Sequence, residues 1–224
     1  MEELRLLVCS DLHGSEDALS MLSKAESLQD FDAVVICGDF TTFGSPDYVN
    51  KTLSSFRSRV LAIPGNCDMR DIVDLLESRG ANLHRQRVLV RGWTFFGFGG
   101  GVPTSAQMPF ETEEDEIGRA LREVAVEGGV MVTHMPAYGM NDRTRSGKNK
   151  GSKVVREIAS EFRPRLALSG HIHEARGFAQ DHGTVFCNPG SAREGFHAEI
   201  VIGESVDVRL HEDTQLSKRL LKSF

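Results

Sequence analysis

Five short apolar runs in the sequence are each broken abruptly by glycine, aspartate, asparagine or histidine. The clearest is V-V-I-C-G-D-F-T (34–41), in which the β-branched run predicts a buried strand that ends at Gly38-Asp39. The polar residues at the ends of the five runs are all metal-ligand types, namely Asp11, His13, Asp39, Asn66, His134, His171 and His173. Because carboxylate, amide and imidazole groups bind divalent metals, this pattern predicts a metal site.

Seven oxygen and nitrogen donors are more than one ion needs, and they suit two ions that share a carboxylate. Asp39 is the predicted shared ligand, because it follows Gly38, where the backbone can approach closely. Asp11 and His13 lie two residues apart, so in an extended backbone both side chains would point to the same face. The scarcity of thiolates favours Mn²⁺, Fe, Zn²⁺, Co²⁺ or Ni²⁺ over Ca²⁺ or a structural cysteine–zinc site. The remaining histidines are interpreted as structural or surface residues: His84, His182, His197 and His211.

The segments between these donors predict strands that alternate with helices, as in right-handed βαβ units with parallel pairing. Ser15 is a predicted helix N-cap, and Pro46 is a predicted first helical residue. From Asn82 the pattern changes to a hairpin over 88–98. The remaining predicted elements are a helix over 111–126, a strand over 129–133, a helix over 152–162, a strand over 165–169 and antiparallel strands that close a second sheet.

The composition is that of a globular protein: 224 residues, 40% hydrophobic and 26% charged, with a formal net charge of −6. No linker-like segment interrupts the chain, which predicts a single domain over 1–224. The negative charge argues against binding nucleic acid through a broad basic face. The apolar segments are strand-sized and the charged M-E-E-L-R start is unlike a signal peptide, so we expect no membrane span and a cytoplasmic location. Cys9, Cys37 and Cys187 lie in apolar runs and are expected to be buried and reduced.

Five motifs, in order along the chain, resemble those of the calcineurin-like metallophosphoesterase superfamily. They are D-L-H-G (11–14), G-D (38–39), G-N-C-D (65–68), T-H (133–134) and G-H-I-H (170–173). The resemblance implies an α/β fold, a four-layer α/β/β/α sandwich of two mixed β-sheets flanked by helices, with a dinuclear metal site at the sheet edges. The chain is most similar to small, cap-less phosphodiesterase-like members, which the stretches 142–145 and 188–191 also resemble.

Carried over by position, the resemblance implies two divalent metal ions, for which Mn²⁺ is the first expectation and Fe, Zn²⁺, Ni²⁺ or Co²⁺ are the alternatives. One ion would be bound by Asp11, His13, Asp39 and His173, and the other by Asp39, Asn66, His134 and His171. Two such ions lower the pKa of a bridging water and clamp phosphoryl oxygens for in-line attack. The predicted function is metal-dependent hydrolysis of a small phosphoester, with diesters expected over monoesters.

The roles of four further residues stay open. Many relatives have histidine where this chain has Cys67, and that histidine is thought to stabilise the transition state or protonate the leaving group. A thiol with a pKa near ~8.5 is a poor proton donor to an alkoxide, so Cys67 is a spacer, a weak acid or a metal ligand. Asp68 is either a helix cap or a catalytic residue. Arg143 and Arg145, in a basic stretch over 139–153 that predicts a mobile loop, either bind substrate phosphate or lie on a solvated surface.

Two other functions are open at this point. A binding scaffold that keeps the fold without catalysis is disfavoured, since a scaffold need not keep four histidines at strand ends. A nuclease is disfavoured by the negative net charge and by the absence of appended DNA-binding segments. No particular oligomeric state is expected from the sequence.

Overall fold

The computed structural model describes residues 2–221, which form strands, α-helices and short 3-10 turns at His173–Ala175 and Ala192–Glu194. The strands are β1 (Leu4–Cys9), β2 (Ala33–Ile36), β3 (Arg59–Ala62), β4 (Gln86–Val90), β5 (Trp93–Phe98), β6 (Val130–Thr133), β7 (Leu166–Leu168), β8 (Gly177–Asp181), β9 (Thr184–Asn188), β10 (Phe196–Ile202) and β11 (Val206–Glu212). The helices are α1 (Glu16–Ser27), α2 (Pro46–Ser54), α3 (Ile72–Ser78), α4 (Glu114–Val124), α5 (Lys153–Phe162) and α6 (Thr214–Leu221).

The strands form two mixed sheets. The first has the order β11-β10-β1-β2-β3, in which β1, β2 and β3 run parallel while β10 and β11 are antiparallel to their neighbours. The second has the order β4-β5-β6-β7-β9-β8, in which β4 and β8 are antiparallel edge strands on a parallel centre. Helices pack on the outer faces of both sheets, so the predicted four-layer α/β/β/α sandwich is confirmed.

Alternation along the buried strands divides the apolar side chains between layers. In β1, Leu6 and Val8 belong to the core between the two sheets, whereas Leu7 and Cys9 pack with the helices on the outer face. The inner core also contains Phe95 of the second sheet. Full burial of a leucine, valine or phenylalanine contributes roughly 1.5–3 kcal/mol relative to exposure, so this shared core stabilises the packing of the two sheets face to face.

The last strands depart from the prediction that they all close the second sheet. Only β8 and β9 join that sheet, and β9 pairs with β7 in parallel. The β10–β11 hairpin returns to the first sheet, where β10 lies antiparallel to β1. Ala198, Ile200 and Ile202 then reach the inner core. Turn signals in the sequence mark a hairpin but carry no information about which sheet edge it covers, and this is why the prediction was wrong.

Two further features concern the helices and the cysteines. No transmembrane candidate occurs among the helices of the described chain, since each is too short or too polar to span a bilayer.

All four cysteines are buried and free, which confirms the prediction for Cys9, Cys37 and Cys187. Helix α4 begins at Glu114 rather than at Glu111, and α6 was not predicted.

Candidate metal centre

The seven predicted metal ligands lie on loops that follow strands of both sheets. They come after β1 (Asp11 and His13), β2 (Asp39), β3 (Asn66), β6 (His134) and β7 (His171 and His173). Each of these strands is parallel to a neighbour in its own sheet, so the loops that follow them leave from the same end. Ligands in open α/β sheets bind at this carboxyl end of the strands.

One group of donors surrounds His13 and His173, whose Nε2 atoms are 3.3 Å apart. The Nε2 atom of His173 lies 3.3 Å from Oδ1 of Asp11. The Nε2 atom of His13 lies 3.9 Å from the same Asp11 oxygen and 3.7 Å from Oδ2 of Asp39. Two imidazole nitrogens and two carboxylate oxygens therefore surround one small volume.

A second group surrounds the side-chain oxygen of Asn66. This Oδ1 atom is 3.0 Å from Nε2 of His134 and 2.9 Å from Nδ1 of His171. The Nε2 atom of His134 is also 3.5 Å from Oδ2 of Asp39. Since the same Asp39 oxygen lies near His13, Asp39 is common to both groups. The structure thus brings the seven side chains together in the two predicted sets, and their binding of metal stays a prediction.

The donor atoms are arranged as a cation site requires. Oδ1 of Asp11 is buried and accepts no hydrogen bond, but it lies 3.3 and 3.9 Å from the Nε2 atoms of His173 and His13, and a buried carboxylate oxygen needs such positive or polar neighbours. The facing Nε2 atoms of His13 and His173 cannot both carry a proton without repelling each other. A divalent ion between these groups would satisfy the carboxylate oxygen and both nitrogens, so the residues present fit the metal that the resemblance implies.

The buried carboxylates give the centre a negative potential. Burial alone would lower the pKa of His134, but the neighbouring Asp39 raises it to about 9. The pKa of His173 is raised to about 10, because the carboxylates of Asp11 and Glu194 outweigh its burial. Conversely, His134 holds the pKa of Asp39 well below its usual range although burial opposes this. A divalent cation would take the place of these imidazole protons, so metal binding is coupled to proton release.

Three of the candidate ligand histidines have Nε2 towards the donor groups and Nδ1 paired with an oxygen atom outside them. The pairs are His13 Nδ1 with Thr42 Oγ1 at 2.8 Å, His134 Nδ1 with the Cys37 carbonyl at 2.7 Å, and His173 Nδ1 with Glu194 Oε1 at 3.4 Å. A carbonyl can only accept, so Nδ1 of His134 donates, and Nε2 is the nitrogen that can bind a metal once it has lost its proton. Such outer partners fix ring orientation and raise ligand basicity. Thr42 and Glu194 were missed in the sequence, because neither lies in a ligand motif.

Backbone geometry corrects the predicted way in which Asp11 and His13 reach the centre. Both residues have a left-handed backbone conformation, with φ of +55° and +48°, so the loop is not the extended segment that was expected. Asp39 and His171 are also left-handed, with φ of +52° and +67°. Non-glycine residues in this region cost of order 1–3 kcal/mol each and collect at functional sites. Cross-loop hydrogen bonds hold the strained turn, including one from the His13 N–H to the Asp39 carbonyl at 3.0 Å.

Asp68 has a different role from the predicted helix cap. Helix α3 begins only at Ile72, after Asp71. The buried Asp68 carboxylate accepts backbone N–H groups of Phe40 (3.1 Å), Thr41 (2.9 Å) and Gly65 (2.8 Å). These bonds join the loop that carries Asp39 to the loop that carries Asn66. We therefore infer that Asp68 positions these ligands, and the cap prediction was wrong because most of its partners lie far away in sequence.

Replacing Asp68 with asparagine is expected to lower metal affinity about 10–100-fold, the usual effect of losing a group that orients ligands. The amide offers only one acceptor oxygen and turns an NH₂ group towards backbone donors, so unfolding should become easier by about 1–3 kcal/mol. Metal titration and chemical denaturation measure these effects. Asp71→Asn is the control, because Asp71 is exposed and makes no capping hydrogen bond. Equal behaviour of the two variants would remove the positioning role.

Further buried residues brace the centre from the segment Asn188-Pro189-Gly190-Ser191. The side-chain NH₂ of Asn188 donates to the carbonyls of Gly170 (3.3 Å) and Ile172 (2.9 Å), on either side of His171. The hydroxyl of Ser191 donates to the Asp11 carbonyl at 2.9 Å. The sequence signal for these residues was the resemblance over 188–191, which does not show what they contact.

Cys67 lies at the centre, beside Asp39 and His13. Its backbone N–H donates to Oδ1 of Asp39 at 2.8 Å, so the residue helps to orient the common carboxylate. Its sulfur belongs to a group with His13 and Asp39 whose ligand atoms all lie within 4.8 Å of one another. Burial, reinforced by Asp39, raises the pKa of the thiol above its usual value. The spacer, weak-acid and metal-ligand roles of the side chain all stay predictions.

Arg143 and Arg145 are exposed on a loop next to the segment that carries His173. The buried Asp142 carboxylate closes this loop by accepting two backbone N–H groups, from Gly139 and Gly151, at 3.0 and 2.9 Å. The loop that was predicted to be mobile therefore has internal hydrogen bonds. Both arginines help to line a cavity of about 590 Å³, and neither is among the seven clustered donors.

The other histidines divide into three kinds. His84 is buried, and its Nδ1 accepts the Gly99 N–H at 2.9 Å, as expected of a structural residue. His182 is exposed, as predicted. His197 and His211 stack on each other with ring centroids 4.9 Å apart.

Comparison with known proteins extends this description. The family model for calcineurin-like phosphoesterases matches residues 4–175. An uncharacterized protein of Methanocaldococcus jannaschii is 32% identical over 196 residues, which cover 83% of this chain and 88% of that protein. A dimetal phosphatase from Danio rerio has a TM-score of 0.65 at 12% identity, over 93% of this chain and 96% of that chain. A novel archaeal phosphodiesterase has a TM-score of 0.55 at 13% identity, over 93% of this chain and 100% of that chain. At these identities the two structures show the fold alone.

Proposed function

Since the chain belongs to the calcineurin-like phosphoesterase family, and is thus a metal-dependent phosphoesterase, we propose that it hydrolyses diesters in preference to monoesters. In this proposal two divalent ions, Mn²⁺ by first expectation, share the Asp39 carboxylate. The observation that carries the shared two-metal centre is the position of Asp39 Oδ2, which lies 3.7 Å from Nε2 of His13 and 3.5 Å from Nε2 of His134. One carboxylate oxygen thus faces both groups of donors.

The seven donors would bind the two ions in two sets that share Asp39. One ion would be held by Asp11, His13, Asp39 and His173, and the other by Asp39, Asn66, His134 and His171. Two bound divalent ions supply an acidified water and neutralise charge on the phosphoryl oxygens. With cysteine at position 67, the chain has no imidazole there to protonate a leaving group, so activated leaving groups should depart fastest.

The surroundings of the centre support a diester substrate. A diester carries one negative charge and a second organic group, whereas a monoester is close to a dianion at neutral pH. A cavity of about 590 Å³ is lined by Glu174, the residue that follows His173 in the chain, and could accommodate that second group. The Glu194 carboxylate, 3.4 Å from Nδ1 of His173, disfavours additional negative charge on the substrate.

The test is the ratio of kcat/KM for bis(p-nitrophenyl) phosphate to that for p-nitrophenyl phosphate, measured in Mn²⁺ with metal content determined on the same sample. Both substrates release p-nitrophenolate, so leaving-group acidity is matched. We expect the diester to be favoured about tenfold, equivalent to roughly 1.4 kcal/mol. Faster hydrolysis of the monoester would overturn the diester preference. Turnover of neither substrate by metal-loaded protein would overturn the enzyme proposal and favour a binding scaffold.

Arg143→Ala and Arg145→Ala are expected to raise KM for the diester about 3–10-fold with little change in kcat, since each would remove a charge that binds the phosphate before and during reaction. Steady-state kinetics at low ionic strength measures this effect. Lys148→Ala is the control, because Lys148 is an exposed cation on the same loop. The same KM in all three variants would assign the arginines to a solvated surface.

We also propose that the protein acts in the cytoplasm on a small phosphoester rather than on nucleic acid. The four buried, free cysteines suit a reducing compartment. The formal net charge of −6 opposes broad contact with a polyanion. Cleavage of single-stranded or duplex DNA at rates comparable with the small diester would contradict this choice of substrate.

A further inference from the structure

A second cluster of metal-ligand side chains lies on the β10–β11 hairpin and shares no residue with the centre described above. It consists of His197, Glu199 and His211. One nitrogen of each imidazole and one oxygen of the carboxylate all lie within 4.8 Å of one another. None of the three residues is used by the proposed hydrolysis.

Strand geometry explains why these side chains meet. His197 and Glu199 are two residues apart on β10 and therefore point to the same face. That face is the outer one, because Ala198 and Ile200 belong to the core between the sheets. His211 is directly opposite His197 in the antiparallel register, and the two rings are nearly parallel at 9°. Two neighbouring strands thus present three potential ligands on one patch of the sheet.

Two ring nitrogens of this patch lack hydrogen bonds. Nδ1 of His197 and Nε2 of His211 are buried and make no hydrogen bond, and His197 as a whole is only 7% exposed. A buried nitrogen without a hydrogen bond destabilises the folded state. Arg209 lies opposite Glu199 in the register but pairs with Asp207, its Nε being 3.5 Å from the carboxylate. The patch therefore holds two imidazole nitrogens without hydrogen bonds, and one of them, Nε2 of His211, faces the Glu199 carboxylate.

We propose that His197, Glu199 and His211 bind an additional divalent transition-metal ion of the Zn²⁺ class. Two imidazoles and one carboxylate form a typical Zn²⁺ ligand set that leaves a fourth position for water. Zn²⁺ bonds of about 2.0–2.1 Å place two ligands of a tetrahedral site roughly 3.4 Å apart. Nε2 of His211 and Oε2 of Glu199 already have this separation, at 3.4 Å.

Protonation and access are also suitable. Burial, together with the neighbouring His211, lowers the pKa of His197 to about 4, so its ring is neutral at pH 7. Neutral imidazole is the form that binds metals. The side chains of His211 and Glu199 are 39% and 21% exposed, so solvent reaches both ligands, and Glu199 also lines a cavity of about 610 Å³.

The test is the Zn²⁺ content of the full chain after incubation with Zn²⁺ and removal of free metal. His211→Ala and Glu199→Gln should each bind about one equivalent less than the unaltered chain, because three protein ligands are the usual minimum for such a site. His182→Ala, which removes an exposed histidine of another hairpin, should bind as much as the unaltered chain. Phosphoesterase activity in Mn²⁺ should be unchanged in the His211 variant, which also reports that the fold is intact.

A chain that carries Asp39→Asn separates the two sites. In that background, His211→Ala should still remove about one equivalent of Zn²⁺, since its ligands are independent of Asp39. Equal Zn²⁺ content with and without His211, in both backgrounds, would overturn the additional site.

Discussion

Asp39→Asn is expected to lower kcat/KM for the phosphodiester by about 10³-fold or more, equivalent to roughly 4 kcal/mol of lost transition-state stabilisation. The amide removes the negative charge that both donor groups share. Its single oxygen cannot both accept the Cys67 N–H and face the two donor groups. In the native chain, Oδ1 of Asp39 accepts the Cys67 N–H while Oδ2 faces His13 and His134. The same variant should retain fewer metal ions, because the common ligand is weakened at both positions.

Steady-state kinetics and metal analysis of the same preparation measure both effects of Asp39→Asn. Asp30→Asn makes the same change at an exposed aspartate and serves as the control. Activity of the Asp39 variant within about fivefold of the control, a difference of only about 1 kcal/mol, would show that the carboxylate is not shared. If the variant lost catalysis but kept its cellular role, the scaffold function would be favoured instead.

Gly65→Ala is expected to have the next largest effect, with at least a 100-fold loss of activity and a loss of about 2–4 kcal/mol in the free energy of unfolding. A Cβ atom at this position would lie 2.0 Å from Oδ1 of Asp39 and 2.2 Å from its backbone nitrogen. The backbone cannot yield easily, because the Gly65 N–H is bound to the buried Asp68 carboxylate at 2.8 Å. The added methyl group must therefore displace the Asp39 loop.

Thermal or chemical denaturation, together with the diester assay, measures the Gly65 effect. Gly203→Ala is a matched control, since its nearest neighbour would be the flexible Glu3 side chain at 3.3 Å. Normal stability and activity in Gly65→Ala would mean that the tight approach between the two loops is unimportant.

The donors of the centre could be predicted because their signals are local. Each of the seven donors lies a few residues after the end of an apolar strand, and its residue type is one that binds metals. The close approach predicted at Gly38 is also present, since a Cβ there would lie 2.7 Å from Nδ1 of His134. Burial of strands such as β2, which is apolar throughout, likewise follows from a short run of residues.

The residues that hold the donors in place could not be predicted, because their partners are distant in sequence. Asp68 contacts backbone groups 27 and 28 residues away, and Ser191 contacts Asp11 across 180 residues. The left-handed turns at Asp11 and His13 arise from contacts with the neighbouring loop rather than from their residue types. From the sequence, His197 and His211 are interpreted only as structural or surface residues, because it is the hairpin register that brings them together.

Titration of metal-stripped protein with Mn²⁺, with hydrolysis of bis(p-nitrophenyl) phosphate and bound metal followed on the same samples, tests the shared centre most directly. Two ions that act together on one phosphoryl group should give a rate that follows the doubly loaded fraction of the chain, with little activity after the first ion binds. Protein that carries both ions and hydrolyses neither the diester nor p-nitrophenyl phosphate would contradict this account.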